Sequence, residues 1–111
     1  VGAAGWTVAG ELPARWVIHV VGPNWNGGQR DPDLLAACYR NALAVADELG
    51  ATSLAFPAVS AGIFGWPLDD AARIAVDTVL RTPSQIVAAR FVLFSQEVFD
   101  AFRRVMSDSG E

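Results

Sequence analysis

Phe56-Pro-Ala-Val-Ser-Ala-Gly-Ile-Phe-Gly-Trp-Pro67 is the stretch whose reading decides the fold. Residues 53–59 form a compact, mostly apolar run of the kind found in a strand covered on both faces. A turn over 60–65 follows, and Pro67 opens a helix. In open α/β sheets the carboxyl ends of the strands form the ligand crevice, and the helix after the turn presents unpaired N–H groups to it. Gly62 and Gly65 permit backbone angles and a close approach that a side chain would obstruct, so residues 60–65 are able to wrap successive N–H groups around a diphosphate. Spacing alone is equally compatible with an ordinary strand-to-helix connection whose glycines only make a turn. The stretch carries neither the Gly-Lys-Ser/Thr ending of a Walker loop nor a G-x-G-x-x-G fingerprint, which disfavours those nucleotide folds.

Working outward, Leu68, Ala71, Ala75 and Val79 mark the buried side of the helix that Pro67 opens, with Asp69 and Asp70 near its positive N-terminus and an end near Arg81. After Pro83, residues 89–94 read as another apolar strand. Ser95 caps a last helix whose Val98, Phe102 and Val105 face inward. Upstream, Asp31-Pro32 supplies an N-cap and a first-turn proline, and Gly50 a left-handed stop. Between them Leu35, Cys38, Ala42, Val45 and Leu49 recur at helical spacing as one buried stripe. Residues 6–9 and 16–21 read as neighbouring strands separated by Gly10 and the Leu12-Pro13 turn, and 24–30 as a surface loop without regular structure. Strands alternating with amphipathic helices indicate an α/β domain built on a largely parallel sheet.

At 111 residues the chain has room for one core and not two. Its hydrophobic content of 52% suits a well-buried interior, and no uninterrupted apolar run reaches the ~20 residues of a membrane span. The net charge of −4, with basic residues scattered, argues against a sequence-independent grip on nucleic acid. Any phosphate would be held by backbone N–H groups and helix ends. Nothing at the start resembles a signal peptide, so a cytoplasmic location is the default expectation. The sequence opens at Val1 and its only methionine is Met106, which leads to the expectation of a truncated N-terminus.

The single Cys38 and single His19 provide no zinc-like ligand set, and no metal site is expected. Cys38 lies on the helical stripe and reads as a small core residue rather than a nucleophile. His19 sits inside a strand with no acid or nucleophile at a recognisable spacing, and is expected to be structural. Asp69 and Asp70 read as a helix start rather than a paired acid and base. Trp25 and its loop border the site on one reading and form a solvated connection on the other.

The sequence resembles the macrodomain family along almost its whole length. Leu12-Pro-Ala-Arg-Trp-Val-Ile-His-Val-Val-Gly-Pro23 is similar to the family's L-P-A-(K/R)-x-V-I-H-x-V-G-P strand, and Cys38-Tyr-Arg-Asn-Ala-Leu43 to its helix. Phe56-Pro-Ala-Val-Ser-Ala-Gly-Ile-Phe-Gly65 resembles the F-P-A-I-S-T-G-I-(F/Y)-G loop, the most specific of these motifs. The resemblance implies a three-layer α/β/α fold with a mixed sheet. It also implies a pocket for ADP-ribose or O-acetyl-ADP-ribose in which Ser60, Ala61, Gly62, Ile63 and Phe64 offer N–H groups to the diphosphate and Gly65 completes the loop. Phe64 would cover the distal ribose and Phe94 would lie beside the adenosine, with simple core packing the alternative for Phe94. No cofactor is implied.

Family members begin with a strand ending in an acidic residue, an Asn-Ala-Ala-Asn strand end and a G-G-G-V-D-G-A-I-H glycine loop, none of which occurs here. The expectation is therefore a partial macrodomain over 1–106, the C-terminal portion, lacking the N-terminal strands and glycine loop, with a frayed tail at 107–111. Catalytic residues for the family's hydrolysis of O-acetyl-ADP-ribose or ADP-ribosyl groups would fall in the absent segment. By resemblance that segment includes a strand lying between 16–21 and 53–59. A fragment without it would be inactive alone, and its exposed sheet would be open to self-association or to a partner.

Overall fold

The computed structural model describes residues 2, 4–8, 16–62, 64–93 and 95–108, with side chains except those of 6–8, 16, 17, 19 and 108. Strands β1 (Ala4–Val8) and β2 (Trp16–Val20) pair antiparallel, with Trp6 opposite Ile18. Strands β3 (Ser53–Phe56) and β4 (Ala88–Phe91) pair parallel, with Phe56 opposite Phe91. Helices α1 (Pro32–Leu49), α2 (Leu68–Arg81) and α3 (Gln96–Asp108) complete a mixed α/β fold. α3 takes in two residues of the segment expected as a tail, and 109–111 lie outside the described residues.

α1 begins where its cap was read: the Asp31 carboxylate accepts the Asp33 N–H at 2.9 Å, and Gly50 ends the helix at φ +76°. Its buried face comprises Leu35, Cys38, Tyr39, Ala42, Leu43 and Ala46, whereas Val45 and Leu49 are half-buried. The predicted stripe is thus rotated toward Tyr39 and Leu43, because α1 packs against both β1–β2 and α2 and needs a broader apolar face. In α2, Ala71, Ala72, Ala75 and Val76 are buried; these small residues line the side that meets α1 and α3. α3 is capped by Ser95, whose hydroxyl accepts the Val98 N–H at 3.2 Å.

Aromatic rings tie the layers together. Tyr39 of α1 meets Phe56 of β3 at 5.4 Å between centroids, Phe56 meets Phe91 of β4 at 5.6 Å, and Phe91 meets Phe102 of α3 at 4.9 Å. Such pairs add about 0.5–1.5 kcal/mol each beyond the area they bury.

Three expectations differ from the structure, the first being the apolar strand over 89–94, which is Ala88–Phe91 with residues 88–90 exposed. The 24–30 segment contains a 3-10 turn over Trp25–Gly27, because the Asn24 side chain accepts the Gly27 N–H at 3.2 Å and Gly28 follows at φ +93°. The run 53–59 is a strand only as far as Phe56 and is not covered on both faces, since Ser53 and Ala55 are exposed. The reason is topological: among the described residues β2 pairs only with β1, and β3 only with β4.

Candidate functional site

The chain leaves β3 at Phe56 and enters the glycine turn through a backbone held from two sides. On one side the buried Tyr39 hydroxyl accepts the Val59 N–H at 3.0 Å and donates to the Pro57 carbonyl at 3.4 Å. On the other, the Ser60 hydroxyl donates to the Pro23 carbonyl at 2.7 Å. Ser60 has φ +64°, a left-handed conformation that costs a non-glycine residue about 1–2 kcal/mol. The Pro23 bond holds it there.

This second anchor explains Gly22. A Cβ at that position would collide with the Ser60 hydroxyl and come within 2.6 Å of Val59 Cγ1. Gly22→Ala is therefore expected to push the loop off Pro23 and destabilise the protein by about 1–3 kcal/mol, the cost of overpacking a closed site. Denaturant unfolding checks it; an unchanged midpoint would show that the two turns do not depend on each other.

Inside the turn the N–H groups divide into two sets. Ala61 donates to the Ala58 carbonyl at 3.3 Å and Gly65 to the Gly62 carbonyl at 2.9 Å, which shapes the loop. The amides of Ser60, Gly62 and Phe64 donate to no group among the described residues. The Trp66 N–H closes the turn on the Ser60 carbonyl at 3.0 Å. Gly65, at φ +78°, is the glycine whose conformation disfavours a side chain; a Cβ there would also lie 2.6 Å from Asn26 Oδ1. Gly62 is exposed, and a Cβ built on it meets nothing within 4 Å.

The 24–30 segment borders this loop. The Asn26 N–H donates to the Phe64 carbonyl at 3.2 Å, and Trp25 meets the buried Trp66 edge-on at 5.1 Å. Arg30 lies over Trp25 at 4.7 Å from the ring centre and donates from Nε to the Trp25 carbonyl. Nothing in either local sequence pattern shows that residues 25 and 66 meet.

Of the other candidates, Ile63 and Phe94 lie outside the described residues. His19 stands in β2 opposite Gly5, and its side chain lies outside the described set. Asp69 pairs with Arg104 at 2.6 Å, while Asp70 accepts Trp66 Nε1–H at 2.9 Å and pairs with Arg73. Both sit in the first turn of α2, as read. Cys38 is buried, and that burial pushes its thiol above the ordinary range, opposed by a hydrogen bond with the Gly2 backbone. A core thiol of this kind is a poor nucleophile. No group of three or more metal-ligating side chains occurs among the described residues.

Below the loop lies a cleft of about 1160 Å³ between the two sheets. It is lined by Ile18 and Val20 of β2, residues 53–56 of β3, residues 88–90 of β4, and Cys38, Tyr39 and Ala42 of α1. This is where the resemblance places a further strand. No helix among the described residues is long and apolar enough to cross a membrane.

The described residues form a mixed α/β domain with a glycine turn at the carboxyl end of a parallel strand. Comparison with known proteins agrees. The Macro domain model matches residues 1–75. A macro domain-containing protein of Streptomyces nogalater is 53% identical over 108 residues, spanning 97% of this chain and 60% of the relative. An O-acetyl-ADP-ribose deacetylase of Enterobacter cloacae subsp. cloacae is 42% identical over 95% of this chain and 61% of its own length. Among solved structures, the Oceanobacillus iheyensis macrodomain with ADP superposes with a TM-score of 0.89 at 33% identity, covering 97% of this chain and 58% of that one. This chain belongs to the Macro domain family. It spans about three-fifths of the length of the curated relatives it matches.

Proposed function

We propose that residues 1–111 form the diphosphate-gripping part of a domain that binds ADP-ribose or O-acetyl-ADP-ribose. The observation that carries this reading is the set of amides at Ser60, Gly62 and Phe64 that meet no acceptor among the described residues, on one turn at the exit of β3. Charge-assisted hydrogen bonds contribute roughly 1.5–3 kcal/mol each, so three of them approach the ~8 kcal/mol of micromolar binding. Backbone donors serve an acidic chain well, because they need no clustered cations. Ala61 and Gly65 shape the turn, Ile63 and Phe64 are proposed to offer amides to the diphosphate, and Phe94 is the residue proposed to lie beside the adenosine. The ligand of the Oceanobacillus structure, ADP, and the substrate named for the Enterobacter relative share an adenosine diphosphate, the part this loop would hold.

Hydrolysis of an acetyl or ADP-ribosyl group by direct water attack belongs to the whole domain in this reading. Here Asp69 and Asp70 are engaged in contacts with Arg104, Trp66 and Arg73, and Cys38 is buried, so none is placed to orient a water beside the loop. The residues that do so would lie in a segment preceding Val1, in a partial macrodomain over 1–106. A second reading rests on the cleft: the edges of β2 and β3 that are unpaired among the described residues would accept a strand from another copy or a partner.

The test uses this chain joined at its N-terminus to the part of the Streptomyces nogalater relative that the match leaves uncovered, hereafter the extended protein. In calorimetric competition, ADP is expected to displace ADP-ribose, while adenosine at the same concentration does not. Adenosine competing as well as ADP would mean that the diphosphate, and hence this loop, is not what the domain grips.

A further inference from the structure

We infer that Tyr39 is a positioning residue for the ligand-binding loop: its buried hydroxyl fixes the backbone leaving β3, and so sets the direction in which the amides of the turn point. The inference rests on the reading of residues 60–65 as a diphosphate loop.

The β3–β4 ladder ends with the Val92 N–H on the Phe56 carbonyl at 2.7 Å. Val59 would therefore leave the sheet with its amide unpaired, a costly condition in a half-buried position. The Tyr39 hydroxyl meets that need, accepting the Val59 N–H at 3.0 Å while donating to the Pro57 carbonyl at 3.4 Å. One side chain thus clamps both flanks of Ala58, the residue whose carbonyl takes the Ala61 N–H inside the turn.

The clamp is rigid. Tyr39 is 1% exposed, and its ring is wedged between Phe56 at 5.4 Å and Phe91 at 6.3 Å. Burial pushes the phenol well above its ordinary range, with the Val59 hydrogen bond opposing, so the hydroxyl stays protonated and serves as donor and acceptor together. Ser60, the next residue after Val59, is fixed to Pro23 in its left-handed conformation. The turn accordingly hangs between a fixed point on α1 and another on the 22–23 corner, and a slack first point would let its amides turn away from one another.

Tyr39→Phe keeps the ring and removes the hydroxyl. In the extended protein this variant is expected to bind ADP-ribose about tenfold more weakly, and the Val59 amide is expected to exchange with solvent at least tenfold faster. Ala46→Gly, on the same helix and distant in sequence from the loop contact, serves as the control: it should lower Tm while leaving affinity within about twofold. Tyr39→Phe affinity within twofold of wild type, in a protein where Gly62→Val weakens binding about a hundredfold, would overturn the positioning role and leave the loop reading standing. If neither substitution changes affinity, the loop reading itself falls and takes the inference with it. Should Tyr39→Phe fail to fold, wild-type exchange decides: a Val59 amide as unprotected as that of exposed Gly62 would contradict the clamp.

Discussion

Gly62→Val in the extended protein is expected to weaken ADP-ribose binding by about a hundredfold, the equivalent of losing one or two charge-assisted bonds, while leaving the fold intact. The substitution separates ligand contact from folding unusually well. Gly62 is exposed, has no left-handed φ, and a Cβ there meets nothing within 4 Å, so the variant adds no strain to the free chain. The valine side chain would add bulk beside the Gly62 amide, which meets no acceptor among the described residues and where the diphosphate is proposed to sit. Calorimetry against ADP-ribose, with Tm recorded for both proteins, checks it. Unchanged affinity in a folded variant would remove this turn from the binding site. Loss of affinity accompanied by a large fall in Tm would contradict the geometry described here.

Much of this arrangement was legible in the sequence because it is encoded locally. Asp31-Pro32 and Gly50 bound α1, Pro67 and Arg81 bound α2, and Ser95 caps α3, each through groups a few residues apart. The turn at 60–65 was legible for the same reason, as a strand end followed by glycines and a proline. What was not legible depends on residues distant in the chain. Tyr39 did not stand out because it lies beside the stripe read over Leu35, Cys38 and Ala42; only the meeting of α1 with the exit of β3 gives its hydroxyl a task. Gly22 likewise looks like an ordinary turn glycine until Ser60 is seen lying against it. The left-handed position fell on Ser60 and Gly65 instead of Gly62, since the turn closes through the Trp66 N–H on the Ser60 carbonyl and the Gly65 N–H on Gly62. The contact between Trp25 and Trp66, which sets the 24–30 segment against the loop, leaves no trace in either neighbourhood.

The central claim is that residues 1–111 hold one wall of a pocket whose other wall comes from elsewhere. The sheet itself supports it: β2 and β3 stand apart, with a cleft of about 1160 Å³ between them that reaches up to Pro57 and Val59 at the base of the loop. A strand laid there would pair the edges that β2 and β3 leave open among the described residues. Sheet and pocket would then be completed together, because one insertion serves both. The direct measurement is a side-by-side comparison of the 111-residue chain and the extended protein, by calorimetry with ADP-ribose and by turnover of O-acetyl-ADP-ribose. The extended protein is expected to bind in the micromolar range and to hydrolyse the ester, while the 111-residue chain binds at least about a hundredfold more weakly and shows no turnover. Equal binding and comparable turnover by the 111-residue chain would contradict the claim.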